Sequence, residues 1–152
     1  MHKLMGEYLT EFDEVGFIGM WEMYISIFVK KKEKQFLKDV ETNDLPLGIA
    51  KVCGNKGGLW LRFTLYERTF SVIDVHLTSG TNKADKRAEM MAEVLKSISK
   101  AKGNDKLPTD SFCDFNFIMG DMNWRTERTF SGCIDTVANS PNEIPKIDEL
   151  RK

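Results

Sequence analysis

Phe115-Asn116-Phe117-Ile118-Met119-Gly120-Asp121-Met122-Asn123-Trp124-Arg125 decides how this chain is read. Phe115, Phe117, Ile118 and Met119 form an apolar run that ends abruptly at Gly120, which predicts a buried strand followed by a turn. Asp121, Asn123 and Arg125 then fall just past the carboxyl end of that strand, where ligands of open α/β sheets gather. Within six residues they offer an acceptor, a neutral amide and a guanidinium suited to phosphate. By themselves, Asp121 and Asn123 fit an ordinary turn equally well.

Working back from this stretch, Gly103 to Pro108 is a polar breaker, and before it lies a helical pattern from Ala84 to Ile98. There Ala84, Ala88, Met91, Ala92, Leu95 and Ile98 recur at three- and four-residue steps, with Lys86, Glu89, Glu93 and Lys96 largely opposite, as on a helix packed against a sheet. Phe70 to Leu77 is apolar apart from Ser71, Asp74 and His76, as in a central strand, and Thr78-Ser79-Gly80 ends it. His76 points opposite to Val75 and Leu77. A lone histidine in an apolar strand is usually a satisfied core residue, but this one ends its strand as Asp121 ends the other, so both can share one rim.

Leu59, Leu61, Phe63 and Leu65 recur at alternate positions, with Arg62 and Thr64 facing the other way, in a second strand joined to the first by a hairpin at Tyr66 to Arg68. Gly54-Asn55-Lys56-Gly57-Gly58 precedes it. Such a turn exposes amides that can hold an anion, and the absence of the GxxxxGK[ST] spacing argues against a nucleotide triphosphatase. Trp21 to Val29 alternates as a further strand, followed by Lys30, Lys31, Lys32, Lys34 and Lys38 in a short helix or loop. The last twenty residues, with Pro141 and Pro145, read as loop leading into a helix start near Ile147.

Composition narrows the function classes. With 22 basic and 23 acidic side chains the net charge is −1, which argues against a nucleic-acid coat. At 41% hydrophobic and 30% charged, the 152 residues can bury a real core as one domain. Cys53, Cys113 and Cys133 match neither a zinc pair nor a disulfide framework, and reduced, mostly buried thiols are expected. No uncharged apolar stretch approaches the roughly 20 residues of a membrane span, and no secretory signal is visible, so a cytoplasmic location is expected.

GNKGG, HLTSG and FIMGDMNWR, in this order and with a helix between the last two, resemble the inositol polyphosphate 5-phosphatases of the endonuclease/exonuclease/phosphatase superfamily. Val15 to Gly19, Pro46 to Ile49, Arg62-Phe63 and Ile147 to Arg151 extend the resemblance over nearly the whole chain, with Trp124 where tyrosine is commoner. The resemblance implies an α/β fold, part of a two-sheet sandwich of the deoxyribonuclease-like type with mixed or mostly antiparallel strands and outer helices. It implies Mg²⁺-assisted removal of the 5-phosphate from a phosphoinositide or a soluble inositol polyphosphate. Asp121 would orient or deprotonate the attacking water, Asn123 would bind the scissile phosphate, and His76 would donate to it. Asn55 and Lys56 would contact a second phosphate, and Arg125 would be another clamp or a structural partner of a carboxylate.

The same resemblance leads us to expect residues 1–152 to be one partial catalytic domain. The glutamate that ligates the metal would lie upstream, and WCDR-type and SDH-type motifs downstream; Glu22 and Glu67 lack the glutamate's context. On this expectation no metal ligand is assigned within the chain, isolated activity is weak or nil, and exposed edges leave the chain marginal or prone to dimerise. A non-catalytic module holding phosphoinositides or a protein partner is the main alternative, supported by Lys30 to Lys34 and by the loop Ala50-Lys51-Val52-Cys53, which allows shallow peripheral membrane contact. A metal-dependent nuclease of the same superfamily is the other; the charge balance disfavours it, and no nucleic-acid partner is expected.

Overall fold

The computed structural model describes residues 7–48, 55–101, 113–126 and 128–147. Cys53 and Gly54, the Ala50–Cys53 loop, the Gly103–Pro108 breaker and Asp148 to Arg151 lie outside these. Strands β1 (Phe12–Met20) and β2 (Met23–Lys30) form an antiparallel pair. The polypeptide then passes through a 3-10 helix, Lys31–Phe36, into β3 (Leu37–Pro46), β4 (Gly57–Leu65) and β5 (Arg68–His76). Helix α1 (Ala84–Ala101) crosses to β6 (Phe115–Asp121), followed by α2 (Phe130–Asn139), a 3-10 turn and α3 (Ile144–Ile147).

The second sheet has the order β3-β4-β5-β6, antiparallel except for the parallel β5–β6 pair that α1 connects. It is a mixed sheet with a layer on each face. Leu59, Leu61 and Val72 pack against Met20, Met23 and Ile25 of the first sheet, while Trp60, Ile73, Val75 and Leu77 pack against Met90, Val94 and Ile98 of α1. Strand β4 is buried on both faces because it carries alternate residues of each cluster. Gly58 permits the helix to come this close, since a Cβ there would meet Val94 Cγ1 at 2.7 Å.

Several boundaries and faces differ from expectation. Trp21 belongs to the β1–β2 turn, with φ of 55° and 72% exposure, so the strand starts at Met23. Helix α1 is turned relative to the expected stripe: Arg87, Met90, Val94 and Ile98 are buried, whereas Ala88 and Ala92 are exposed. The closing segment is helical over Phe130–Asn139, with Thr129 capping it by accepting from the Gly132 N–H, instead of mostly loop. Among the described residues β6 is an outer strand, and Phe115, Phe117, Ile118 and Met119 are 44–49% exposed. The first sheet contacts β3, β4 and β5, so Phe117, in register with Val72, extends past its cover. Cys113 and Cys133 are free and only partly buried. No helix among the described residues is long and apolar enough to cross a membrane.

Candidate active site

Strand register brings three distant stretches of sequence to one rim. Gly57 is paired with His76 across β4–β5, and His76 with Asp121 across β5–β6. Lys56, the residue before β4, therefore stands beside His76 and Asp121. Lys56 Nζ lies 2.8 Å from His76 Nε2, and His76 Nε2 lies 3.7 Å from Asp121 Oδ2. The histidine side chain is 26% exposed and the Asp121 carboxylate 63% exposed, so the rim is open to a solvent-borne ligand.

Beyond β6 the chain turns back over β5. Asn123 sits at φ of 54°, its N–H donates to Asp121 Oδ1 at 3.0 Å, and its Nδ2 donates to the Leu77 carbonyl at 3.0 Å. Its remaining amide oxygen accepts from Arg125 Nη2 at 3.1 Å. Asn123 thus ties the two strand ends together, and Arg125 acts on its amide. Asn55 lies in the exposed turn before β4, where its carbonyl accepts from Lys56 Nζ at 3.3 Å. His76, Lys56, Asp121, Asn123 and Arg125 thus form one connected set, with Asn55 joined to it through its backbone.

Two participants escaped the sequence reading. Asp74 is two residues before His76 and therefore on the same face of β5. Burial pushes its pKa up, opposed by the His76 charge and the Val75 N–H. Gly120 makes room for it: at φ of 110°, a Cβ there would stand 2.4 Å from Asp74 Oδ1 and 2.2 Å from the Val75 carbonyl. Arg87 of α1 is fully buried, donates to the carbonyls of Thr78 and Gly80 at 3.4 and 2.9 Å, and lies 5.6 Å over the Trp124 ring. It joins the loop after β5 to the loop after β6. The polar interruption at Asp74 was a visible signal; nothing local distinguishes Arg87 from a surface helix arginine.

Among the described residues, no three His, Cys, Asp or Glu side chains gather as a metal site. The described residues thus do not by themselves complete a divalent-cation site.

The family model described as Endonuclease/Exonuclease/phosphatase family 2 matches residues 9–152. The chain belongs to this family. Among curated relatives, this family member is 26% identical over 148 residues to human phosphatidylinositol 3,4,5-trisphosphate 5-phosphatase 2, covering 93% of this chain and 12% of the relative. It is 29% identical over 130 residues to Xenopus laevis phosphatidylinositol 3,4,5-trisphosphate 5-phosphatase 1, covering 84% of this chain and 13% of the relative. The chain therefore spans a small part of each.

Among solved structures, the inositol polyphosphate 5-phosphatase domain of SPsynaptojanin, in complex with inositol (1,4)-bisphosphate and a calcium ion, superposes with a TM-score of 0.76. That match has 21% identity and covers 97% of this chain and 43% of that one. A Cimex nitrophorin ferrous NO complex gives a TM-score of 0.70 at 20% identity, covering 98% of this chain and 50% of that one. At these identities both establish the fold, and their different ligands show that the fold alone does not fix the chemistry.

Proposed function

We propose that this chain supplies the core of a phosphomonoesterase that removes the 5-phosphate from an inositol ring, carried by a phosphoinositide or a soluble inositol polyphosphate. The observation that supports this most is the convergence of Lys56, His76 and Asp121 on one open rim through the register of β4, β5 and β6. Phosphoryl transfer needs charge neutralisation, donors to the phosphate oxygens and an oriented nucleophile. On this reading the Lys56 ammonium and the His76 imidazole meet the phosphate, and Asp121, acceptor-only and solvent-facing, orients a water or takes its proton. Asn123 holds the turn that presents Asp121, with Arg125 engaged on its amide, so its part in phosphate binding requires a change of partner. On the same reading Asn55, with Lys56 reaching between the two groups, would contact a second ring phosphate.

The names of the curated relatives favour a phosphoinositide as the substrate; we infer that it is met at a membrane surface from the cytoplasmic side. A divalent cation, Mg²⁺ by the resemblance, would neutralise developing charge on the phosphate when bound. Its ligands would have to include groups beyond those described.

The test is phosphate release from a short-chain phosphatidylinositol 4,5-bisphosphate, with and without Mg²⁺. This chain and a longer polypeptide that embeds it are each assayed beside an Asp121→Ala variant. We expect Mg²⁺-dependent release by the longer polypeptide, abolished by Asp121→Ala, and little or none from residues 1–152 alone. Release unaffected by Asp121→Ala overturns the assignment, and robust turnover by the isolated chain overturns its dependence on further residues.

A further inference from the structure

The lysine cluster lies at the other end of the sandwich from the rim. Leu37, which follows the Lys31–Phe36 helix, pairs with Leu65, the residue of β4 farthest from Gly57. Phe36 stacks on Tyr66 at 4.7 Å, and the Tyr66 hydroxyl donates to Glu33, both across the β4–β5 hairpin turn. Nine residues of β4 separate this pole from Lys56, a span of roughly 30 Å at about 3.3 Å per residue.

Here Thr10, Glu11, Lys30, Lys31 and Lys32 line an open cavity of about 460 Å³. That volume lies within the range of roughly 300–1,000 Å³ typical of small-molecule sites. The five lysines of the cluster are not equivalent. Lys34 is bound to Asp13 at 2.8 Å, Lys38 to Glu67 at 2.9 Å, and Lys32 leans on Glu33 at 3.5 Å. Lys30 and Lys31 stand within 4 Å of no described carboxylate, although the Lys31 charge also acts on Asp13, and both line the cavity. The Lys31 N–H is fixed on the Glu11 carbonyl at 2.9 Å, which holds the start of the helix against the Thr10–Glu11 turn.

The side chains of Lys30, Lys31 and Lys32 give the lining positive charge, which an anionic ligand complements. Among the described residues, the lining also holds the Thr10 hydroxyl and the Glu11 carboxylate. Glu11 opposes a bare anion but accepts from hydroxyl groups, so the lining suits a ligand carrying both phosphate and hydroxyl groups.

We propose that the cavity formed by Lys30, Lys31, Lys32, Thr10 and Glu11 is a second binding site, for a phosphorylated polyol, at the pole opposite the catalytic rim. The site stands independently of the phosphatase reading. A lipid headgroup and a free polyol phosphate share this chemistry. If the ligand is a headgroup, the bilayer holding it faces away from the rim.

The test is calorimetric titration of the 152-residue chain with inositol 1,4-bisphosphate. We compare the wild type with Lys56→Gln, which reports the rim, and with Lys30→Gln/Lys31→Gln and Lys30→Arg/Lys31→Arg, which report the cavity. Thermal unfolding verifies that each variant is folded. We expect a binding event that survives in Lys56→Gln, is weakened about tenfold or more in the double glutamine variant, and is retained in the double arginine variant. Binding unchanged in Lys30→Gln/Lys31→Gln, or the absence of any event in Lys56→Gln, overturns the proposal. In a second arm the Lys56→Gln protein is sedimented with vesicles containing phosphatidylinositol 4-phosphate. Sedimentation lost on adding Lys30→Gln/Lys31→Gln supports the site with a headgroup as its ligand, and soluble binding without sedimentation supports it with a free polyol phosphate.

Discussion

Lys56 Nζ lies 2.8 Å from His76 Nε2. A lysine ammonium can only donate, so the imidazole nitrogen facing it must accept, and the ring carries its proton on Nδ1. The same Nε2 is 3.7 Å from Asp121 Oδ2, so moving Lys56 onto a phosphate would leave that nitrogen facing the Asp121 carboxylate. Nitrogen chemical shifts above neutral pH should show His76 with an unprotonated Nε2 in the wild type and a shift toward the Nε2–H form in Lys56→Met. A protonated Nε2 in the wild type would show that the lysine does not set the tautomer.

Gly120 carries a steric demand that no other residue type meets. Its φ of 110° is unfavourable for any side chain, and a Cβ would press on the Val75 carbonyl at 2.2 Å and on Asp74 Oδ1 at 2.4 Å. Gly120→Ala should destabilise the fold by about 2–4 kcal/mol, measured by urea unfolding. A loss below about 0.5 kcal/mol would mean that β6 can move off β5 without cost.

Legibility followed the periodicities. Strands β4 and β5 and their hairpin were readable because Leu61, Phe63 and Leu65 alternate with Arg62 and Thr64 and because Tyr66 and Glu67 form a tight turn, both at positive φ. Strand β3 was not: Lys38-Asp39-Val40-Glu41-Thr42-Asn43-Asp44 is polar, as an outer strand with little to bury can be. Helix α2 was hidden by Gly132, Thr136 and Val137, all weak helix formers, and by the prolines beyond it. The rim residues His76 and Asp121 were legible because each ends an apolar strand, whereas Asp74 and Arg87 depend on contacts between strands and between loops that no local pattern encodes.

Asp74 is held at a cost. Burial raises its pKa, so the folded state disfavours the ionised form, and native stability falls as pH rises through that elevated value. Asp74→Asn should therefore melt higher than the wild type at pH 7 and lose that advantage near pH 3, where the wild-type carboxyl is protonated in both states. The gain is reduced by the solvent that reaches this half-buried side chain. A lower melting temperature for Asp74→Asn at pH 7 would show that interactions of the carboxylate outweigh its burial.

Asp114 behaves in the opposite sense at the far end of the β5–β6 pair. It accepts from the Thr69 N–H and hydroxyl, both at 2.8 Å, and from Arg68 Nη1 at 3.1 Å, while its own N–H donates to Thr69 Oγ1 at 2.9 Å. These donors, the Thr69 N–H foremost, hold the carboxyl at about 2, below the ordinary value of 3.8. A depressed acid contributes stability that is complete above its unfolded value and is lost as pH falls through the folded one. Asp114→Asn should accordingly be less stable than the wild type at neutral pH, with the difference closing between about pH 4 and pH 2. Unfolding curves across that window read it directly, and amide exchange at Thr69 and Asp114 should rise in the variant at pH 6. A stability difference that stays constant down to pH 2 would mean that the shape of the side chain, and not its charge, anchors β6 to β5.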